Sequence, residues 1–369
     1  MAPVTASTSN FDTLLTELDK RRKLVRDYLL NHAYAAQFRP THIHDAALSY
    51  IKGGGKSLRA AVLMLSCGAV GGDELVALPA AAGVEIYHTW TLVHDDVIDK
   101  DDRRRGLPTV HNEFTQRAAS DLDWHGADAE HYGLAVAMLT GDLQQGWAWL
   151  LFFDLFNKNH VDAGLVLRLV TELATRVHTT LIEGETLDIQ FSRSPVGALT
   201  EEQVTDMLWK KTGVLYEFAG RVGAAIGLNN ADPNLPETQA IARFCSQSGT
   251  AFQIQDDILG ILGDEAQLGK PVGSDIREGK NTLLTLKALS RADEAQRAQM
   301  LSVLGNHHAS ADDIARVTQM FRDLGVIDYA QQTARSHIDH ALESLNILPS
   351  SPHKHLLQQW AEYLIERRY

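Results

Sequence analysis

The sequence predicts an all-α fold, a single large helical bundle around a central cavity. Three observations lead there. Apolar residues recur at three- and four-residue spacings along most of the chain, no train of alternating strands appears, and most of the 10 prolines fall between periodic segments. The 369 residues are 44% hydrophobic, enough for two average domains, yet no linker or low-complexity stretch divides them. The organisation expected is a polar tail over residues 1–10 and one all-α domain over residues 11–369.

Phe11, Leu14, Leu15 and Leu18, then Leu24, Val25, Tyr28 and Leu29, mark the first helix. After a loop at Arg39-Pro40, a helix near residues 45–51 is broken by the glycines at 53–55. Ser57 is a good N-cap for the next helix, which ends at Gly71-Gly72. A long apolar helix covers residues 79 to about 101, followed by a loop and a short helix in "RRGLPTVHNEF". The polar residues 120–132 are expected to form a surface connection. Helices are then expected over 134–156, 163–191, 200–227 and 238–262. A loop rich in glycine and charge, "GDEAQLGKPVGSDIREGKN", precedes four shorter helices within residues 282–368.

The net charge of -13 argues against a nucleic-acid partner, which needs a basic footprint. Cys67 and Cys245 stand in apolar surroundings and are expected to be buried free thiols. The first ten residues lack the pattern of a secretory signal, and "AWLLFF" is too short to span a bilayer, so a soluble cytoplasmic protein without a membrane span is expected.

The chemistry concentrates in "LVHDDVIDKDDRRRG", residues 92–106. On a helix Asp95 and Asp99 share one face, with Asp96 beside them. Like charges at that spacing repel, so a helix needing only solubility would alternate signs. Carboxylates facing one way suit a hard cation such as Mg²⁺, which bridges one or two of them to substrate phosphates. The device recurs in "QDDILGILGDE", with Asp256 and Asp257; Gly260 takes the place of a third aspartate, and Asp264 lies a turn further on. Arg104 and Arg105 supply charge-assisted hydrogen bonds to a metal-held diphosphate. Lys56, Arg59, Lys211, Lys270 and Lys280 are further candidates, several of them beside glycines that let backbone approach a phosphate. "GGGKS" is not a P-loop, because Tyr50 stands where that motif needs glycine and no strand precedes it.

Together "GGGKSLRA", "LVHDDVIDKDDRRRGLPTVH", "LTGDL", "EGETLDIQF", "KKTGVLYEFAG" and "FQIQDDILGILGDEAQLGKPVGSDIREGK" resemble the trans-isoprenyl diphosphate synthases, the polyprenyl synthetase family of isoprenoid synthase fold. The resemblance implies that Asp95 and Asp99, with Asp96 nearby, and Asp256, supported by Asp257, ligate Mg²⁺. It implies that Arg104, Lys211, Thr212, Gln253, Lys270 and Lys280 hold an allylic diphosphate. Lys56, Arg59, His88 and Arg105 would hold the diphosphate of isopentenyl diphosphate, and Asp188 would support the waters around the metal. The implied reaction is ionisation of the allylic C–O bond and head-to-tail coupling to isopentenyl diphosphate, with no protein nucleophile.

Ser57, Ala60, Glu185 and Gly260 depart from the usual family pattern. In this family, residues one to two turns before the first aspartate floor the product tunnel. At about 1.5 Å of rise per residue, Thr91, Trp90 and Tyr87 lie roughly 6 to 12 Å below Asp95. Bulky Trp90 and small Thr91 resemble short-chain enzymes making geranylgeranyl diphosphate, with farnesyl diphosphate the alternative product. A terpene cyclase would have no use for Lys56, Arg59 and Arg105. From another class, a non-catalytic subunit of a heteromeric synthase would be expected to lose motif aspartates. Family habit favours a homodimer.

Overall fold

The computed structural model describes residues 11–230, 232–262 and 273–367; the tail expected over residues 1–10 lies outside them. The expected class holds. Among the described residues the only strands are Arg103–Arg104 and Leu107–Pro108, a two-residue antiparallel ribbon where a plain loop was expected. No helix is long and apolar enough to cross a membrane, among the described residues. Cys67 and Cys245 are buried thiols outside any disulfide, as expected.

The described chain falls into two compact units. The first holds the residues up to Val170 with Val222–Asp232 and Ser351–Gln359; the second holds Thr171–Arg221, Pro233–Ser350 and the chain from Trp360.

In the first unit the helix Asp12–Leu30 buries Leu14, Leu18, Val25 and Leu29, one stripe of its amphipathic sequence. Thr41–Lys52 starts earlier than the sequence suggested. Leu58–Ala69 follows, but Ser57 does not cap it: its φ is +45° and its hydroxyl donates to Glu85 Oε1 at 2.8 Å. Leu78–Ile98 and Ala127–Asn157 pack side by side. The expected surface connection over 120–132 is mostly helix, since Val110–Leu122 ends and Ala127–Asn157 begins inside it. A buried apolar cluster of Tyr50, Val93, Val110, Phe114 and Val136 sits beside the first acidic motif.

Two expected long helices each contain a π turn, and both turns lie in the second unit. Ala163–Glu172 runs into Leu173–Val177 and then His178–Ser192, and Glu201–Leu208 into Trp209–Gly213 and Val214–Gly227. Thr200 opens the second run with a capping box to Gln203. Pro236–Leu262 carries the second acidic motif and packs along Val326–Ser344. Among the described residues, five α-helices rather than four follow residue 282: Leu283–Arg291, Glu294–Val303, Ala311–Asp323, Val326–Ser344 and Pro352–Glu366. The capping boxes of Asp293 and Ser310 and the proline at 352 set three of their starts.

Candidate active site

The first motif occupies the end of Leu78–Ile98, where Asp99 caps the last turn through its backbone N–H to Asp95 O at 2.8 Å. Its aspartates divide by burial. Asp99 is exposed and Asp95 half-buried, while Asp96 is fully buried. Arg104 Nε donates to both Asp96 oxygens at 2.7 and 2.8 Å, and Nη2 reaches Asp95 Oδ2 at 3.2 Å. The Tyr50 hydroxyl closes on Asp96 Oδ2. Burial works against the Arg104 charge, but Asp96 and then Asp95 outweigh it and hold the guanidinium charged. The structure thus turns Asp96 toward Arg104 and leaves Asp95 and Asp99 on the more open side.

A tight turn delivers the two arginines. Arg105 and Gly106 both have positive φ, +54° and +77°, which is what a two-residue turn matched to strand twist requires. Arg105 Nη1 donates to Gly54 O, and a Cβ on Gly55 would stand 2.5 Å from that nitrogen, so a larger residue there would push the guanidinium aside. Lys56 is exposed beside this loop. Arg59, on the first turn of Leu58–Ala69, donates from Nη1 to His88 Nε2 at 3.0 Å. Burial, then Arg59, Arg105 and Arg104, hold the His88 imidazole neutral, well below its ordinary pKa.

Below Asp95, Tyr87 is fully buried and Trp90 is 8% exposed. Their rings meet edge to face with centroids 4.9 Å apart. Thr91 is half-buried, and its hydroxyl turns back onto the His88 carbonyl at 2.8 Å.

In the second unit Lys211 and Thr212 lie in the π turn Trp209–Gly213, a helix distortion that recurs at functional sites. Lys211 Nζ bonds Asp188 Oδ2 at 2.6 Å and lies 3.0 Å from Glu185 Oε2. A Cβ on Gly184 would stand 2.3 Å from Lys211 N, so the facing helix approaches this closely only through glycine. Thr212 Oγ1 donates to Gln253 Oε1 at 3.1 Å. Asp188, assigned by resemblance to metal-bound water, is here the partner of Lys211.

Burial, then Asp275 and Asp256, push the Asp257 carboxyl well above the ordinary range. Asp275 also comes close to the missing third aspartate's position, since a Cβ on Gly260 would be 3.2 Å from its Oδ2. Lys280 lies 3.2 Å from Glu278 and 3.8 Å from Asp275. Lys270 and Asp264 lie outside the described residues. Arg367 was not singled out from the sequence: it is buried, donates to Asp256 Oδ1 at 2.5 Å, and stacks over Phe252 at 4.1 Å. Nor was Tyr50 singled out as a partner of Asp96. Neither could have been, because each lies far along the chain from its partner.

These carboxylates fit Mg²⁺. Among the described residues no three His, Cys, Asp or Glu side chains gather into a ready-made cage. Asp95 and Asp99, on the open side of the first motif, could offer one or two carboxylates to an ion whose shell waters and phosphates would complete.

Comparison with known proteins gives the family. The polyprenyl synthetase family profile matches residues 40–321. A geranylgeranyl diphosphate synthase of Saccharolobus solfataricus is 35% identical over 330 residues, 88% of this chain and 90% of that one. A geranylfarnesyl diphosphate synthase of Aeropyrum pernix is 32% identical over 334 residues, covering 89% and 95%. The crystal structure of geranylgeranyl pyrophosphate synthetase from Pyrococcus horikoshii superposes with a TM-score of 0.83 at 32% identity, covering 97% of this chain and all of that one. The chain belongs to the polyprenyl synthetase family.

Proposed function

We propose that this chain is a short-chain trans-prenyltransferase that condenses isopentenyl diphosphate with an allylic diphosphate to give geranylgeranyl diphosphate. The observation that carries the reading is the division of labour in the first motif: Asp95 and Asp99 on the open side, and buried Asp96 locking Arg104 beside them. Magnesium, when bound, neutralises charge that develops on the departing diphosphate.

The protein's own residues do the rest. Asp95, Asp99 and Asp256 hold the metal ions, and Asp257 backs Asp256. Arg104, Lys211, Thr212, Gln253, Lys270 and Lys280 hold the allylic diphosphate, fixing the leaving group before the C–O bond breaks. Lys56, Arg59 and Arg105 hold isopentenyl diphosphate so that its double bond meets the allylic cation. Asp96, through Arg104, and Asp188 and Glu185, through Lys211, keep those cations in place. Trp90 over Tyr87 forms an apolar floor that excludes water and stops elongation. The relatives' product names span two lengths, and a floor of two aromatic rings packed edge to face favours the shorter.

We further propose a cytoplasmic homodimer, joined through Leu134, Met138, Leu139, Phe153 and Phe156 of Ala127–Asn157, all exposed. The reading is tested by stripping the protein with EDTA, restoring Mg²⁺, and following diphosphate release from geranyl diphosphate and isopentenyl diphosphate. Release that returns with Mg²⁺ and is lost in Asp99→Asn and Asp256→Asn supports it. No release from the restored enzyme contradicts it and favours a non-catalytic subunit.

A further inference from the structure

Asn281 closes the glycine- and charge-rich stretch that follows the second motif. It is 6% exposed, and its side chain bonds backbone groups 84 to 90 residues earlier in the chain. Its Oδ1 accepts from Gly197 N at 2.9 Å, and its Nδ2 donates to Phe191 O at 3.0 Å and Ser194 O at 3.4 Å. A backbone N–H only donates and a carbonyl only accepts, so the amide fits in this one orientation. Phe191 lies in the last turn of His178–Ser192, where carbonyls lack partners inside the helix. Asn281 is a C-terminal cap supplied from far along the chain.

The helix it caps carries Asp188, which bonds Lys211 at 2.6 Å. The residue before it is Lys280, in a short link between two helix ends. The Lys280 N–H bonds Asp275 O at 3.0 Å at the close of Ser274–Glu278, and Thr282 caps Leu283–Arg291. A second tie holds the far end of the connection that Asn281 grips. Lys287 Nζ bonds Glu201 Oε1 at 3.0 Å, and the Tyr329 hydroxyl donates to Oε2 at 2.6 Å. Glu201 opens the helix that runs into the π turn of Lys211. The stretch after Lys280 therefore grips both ends of the connection between the Asp188 and Lys211 helices. From this we infer that Asn281 is a positioning residue for the allylic diphosphate, fixing Lys280 relative to the Lys211–Asp188 pair without touching substrate itself. The inference rests on the proposed function, because Lys280 and Lys211 need a common frame only if they hold one ligand.

The test is direct binding in a double-mutant cycle. Geranyl diphosphate is titrated calorimetrically, with Mg²⁺ and no second substrate, into the full-length protein, Asn281→Ala, Lys280→Ala and the double variant. Melting curves confirm that each is folded. Losing hydrogen bonds of ordinary strength should weaken binding about tenfold in Asn281→Ala. In the Lys280→Ala background the same change should cost less than about twofold, because Asn281 acts through Lys280. Asn281→Asp keeps the shape and the acceptor but sets a carboxylate against two carbonyls, so it should bind no better than Asn281→Ala. Affinity for isopentenyl diphosphate should not move. No loss, an equal loss in both backgrounds, or an equal loss toward both ligands overturns the role. Hydrogen exchange gives a reading that needs no Asn281 variant: geranyl diphosphate should slow exchange across residues 193–200 in the parent and not in Lys280→Ala. Unchanged exchange in a parent that binds overturns the role. A parent that binds no geranyl diphosphate overturns the proposed substrate, and the role with it.

Discussion

Replacing Arg104 with methionine should destabilise the protein and disable the first motif together. Asp96 is fully buried, and Arg104 provides it with two forked bonds at 2.7 and 2.8 Å, leaving the Tyr50 hydroxyl as the other recorded partner. Methionine fills most of the arginine stem's volume but leaves a buried carboxylate without its cation. Breaking a buried pair in this way costs about 3–5 kcal/mol. At roughly 2 °C per kcal/mol for a large domain, the melting temperature should fall by about 6–10 °C. Calorimetric melting of the single variants and of Arg104→Met/Asp96→Asn completes the assay. The double variant should recover much of the loss, because removing both charges is far less costly than stranding one. Elongation should stay low in it, since Asp95 loses its 3.2 Å bond as well. A single-variant loss under about 0.5 kcal/mol, typical of a surface arginine, would refute the buried-pair argument.

Gly184→Ala places a Cβ 2.3 Å from Lys211 N, so the facing helices must part; about 1–3 kcal/mol of stability should go, with a raised KM for the allylic substrate. Asp257 has a raised carboxyl pKa in the folded state, so the stability its proton supplies is complete below about pH 4 and is lost as pH rises through the raised value. Metal-free Asp257→Asn should therefore melt higher than the parent at neutral pH and no higher at pH 4, as read from melting curves in EDTA. Trp90→Ala removes the upper ring of the aromatic pair; chromatography should show products longer than the parent's, with about 3–5 kcal/mol of stability lost.

Much of this was legible in the sequence because helix periodicity and the two acidic motifs are local signals. Asp95 and Asp99 share a face by spacing alone, and the apolar run before them announces a buried helix. What escaped notice depends on distance along the chain. Asp96 and Asp95 look equivalent until Tyr50 and Arg104 close on one of them. Ser57 has the right chemistry for an N-cap, but Glu85 takes its hydroxyl instead. The π turns at Leu173–Val177 and Trp209–Gly213 leave no mark in an apolar period read over a whole helix. Residues 120–132 look like a connection because they are polar, yet exposed helical faces are polar too.

The measurement that tests the central claim most directly is the chain length of the product. Purified protein is incubated with Mg²⁺, isopentenyl diphosphate and, separately, dimethylallyl, geranyl and farnesyl diphosphates, and the alcohols are sized after phosphatase treatment. The account predicts a C20 alcohol from every starter that is accepted, with the floor at Trp90 and Tyr87. A C15 end product would keep the chemistry and move the floor upward. No elongation from any starter would contradict the account.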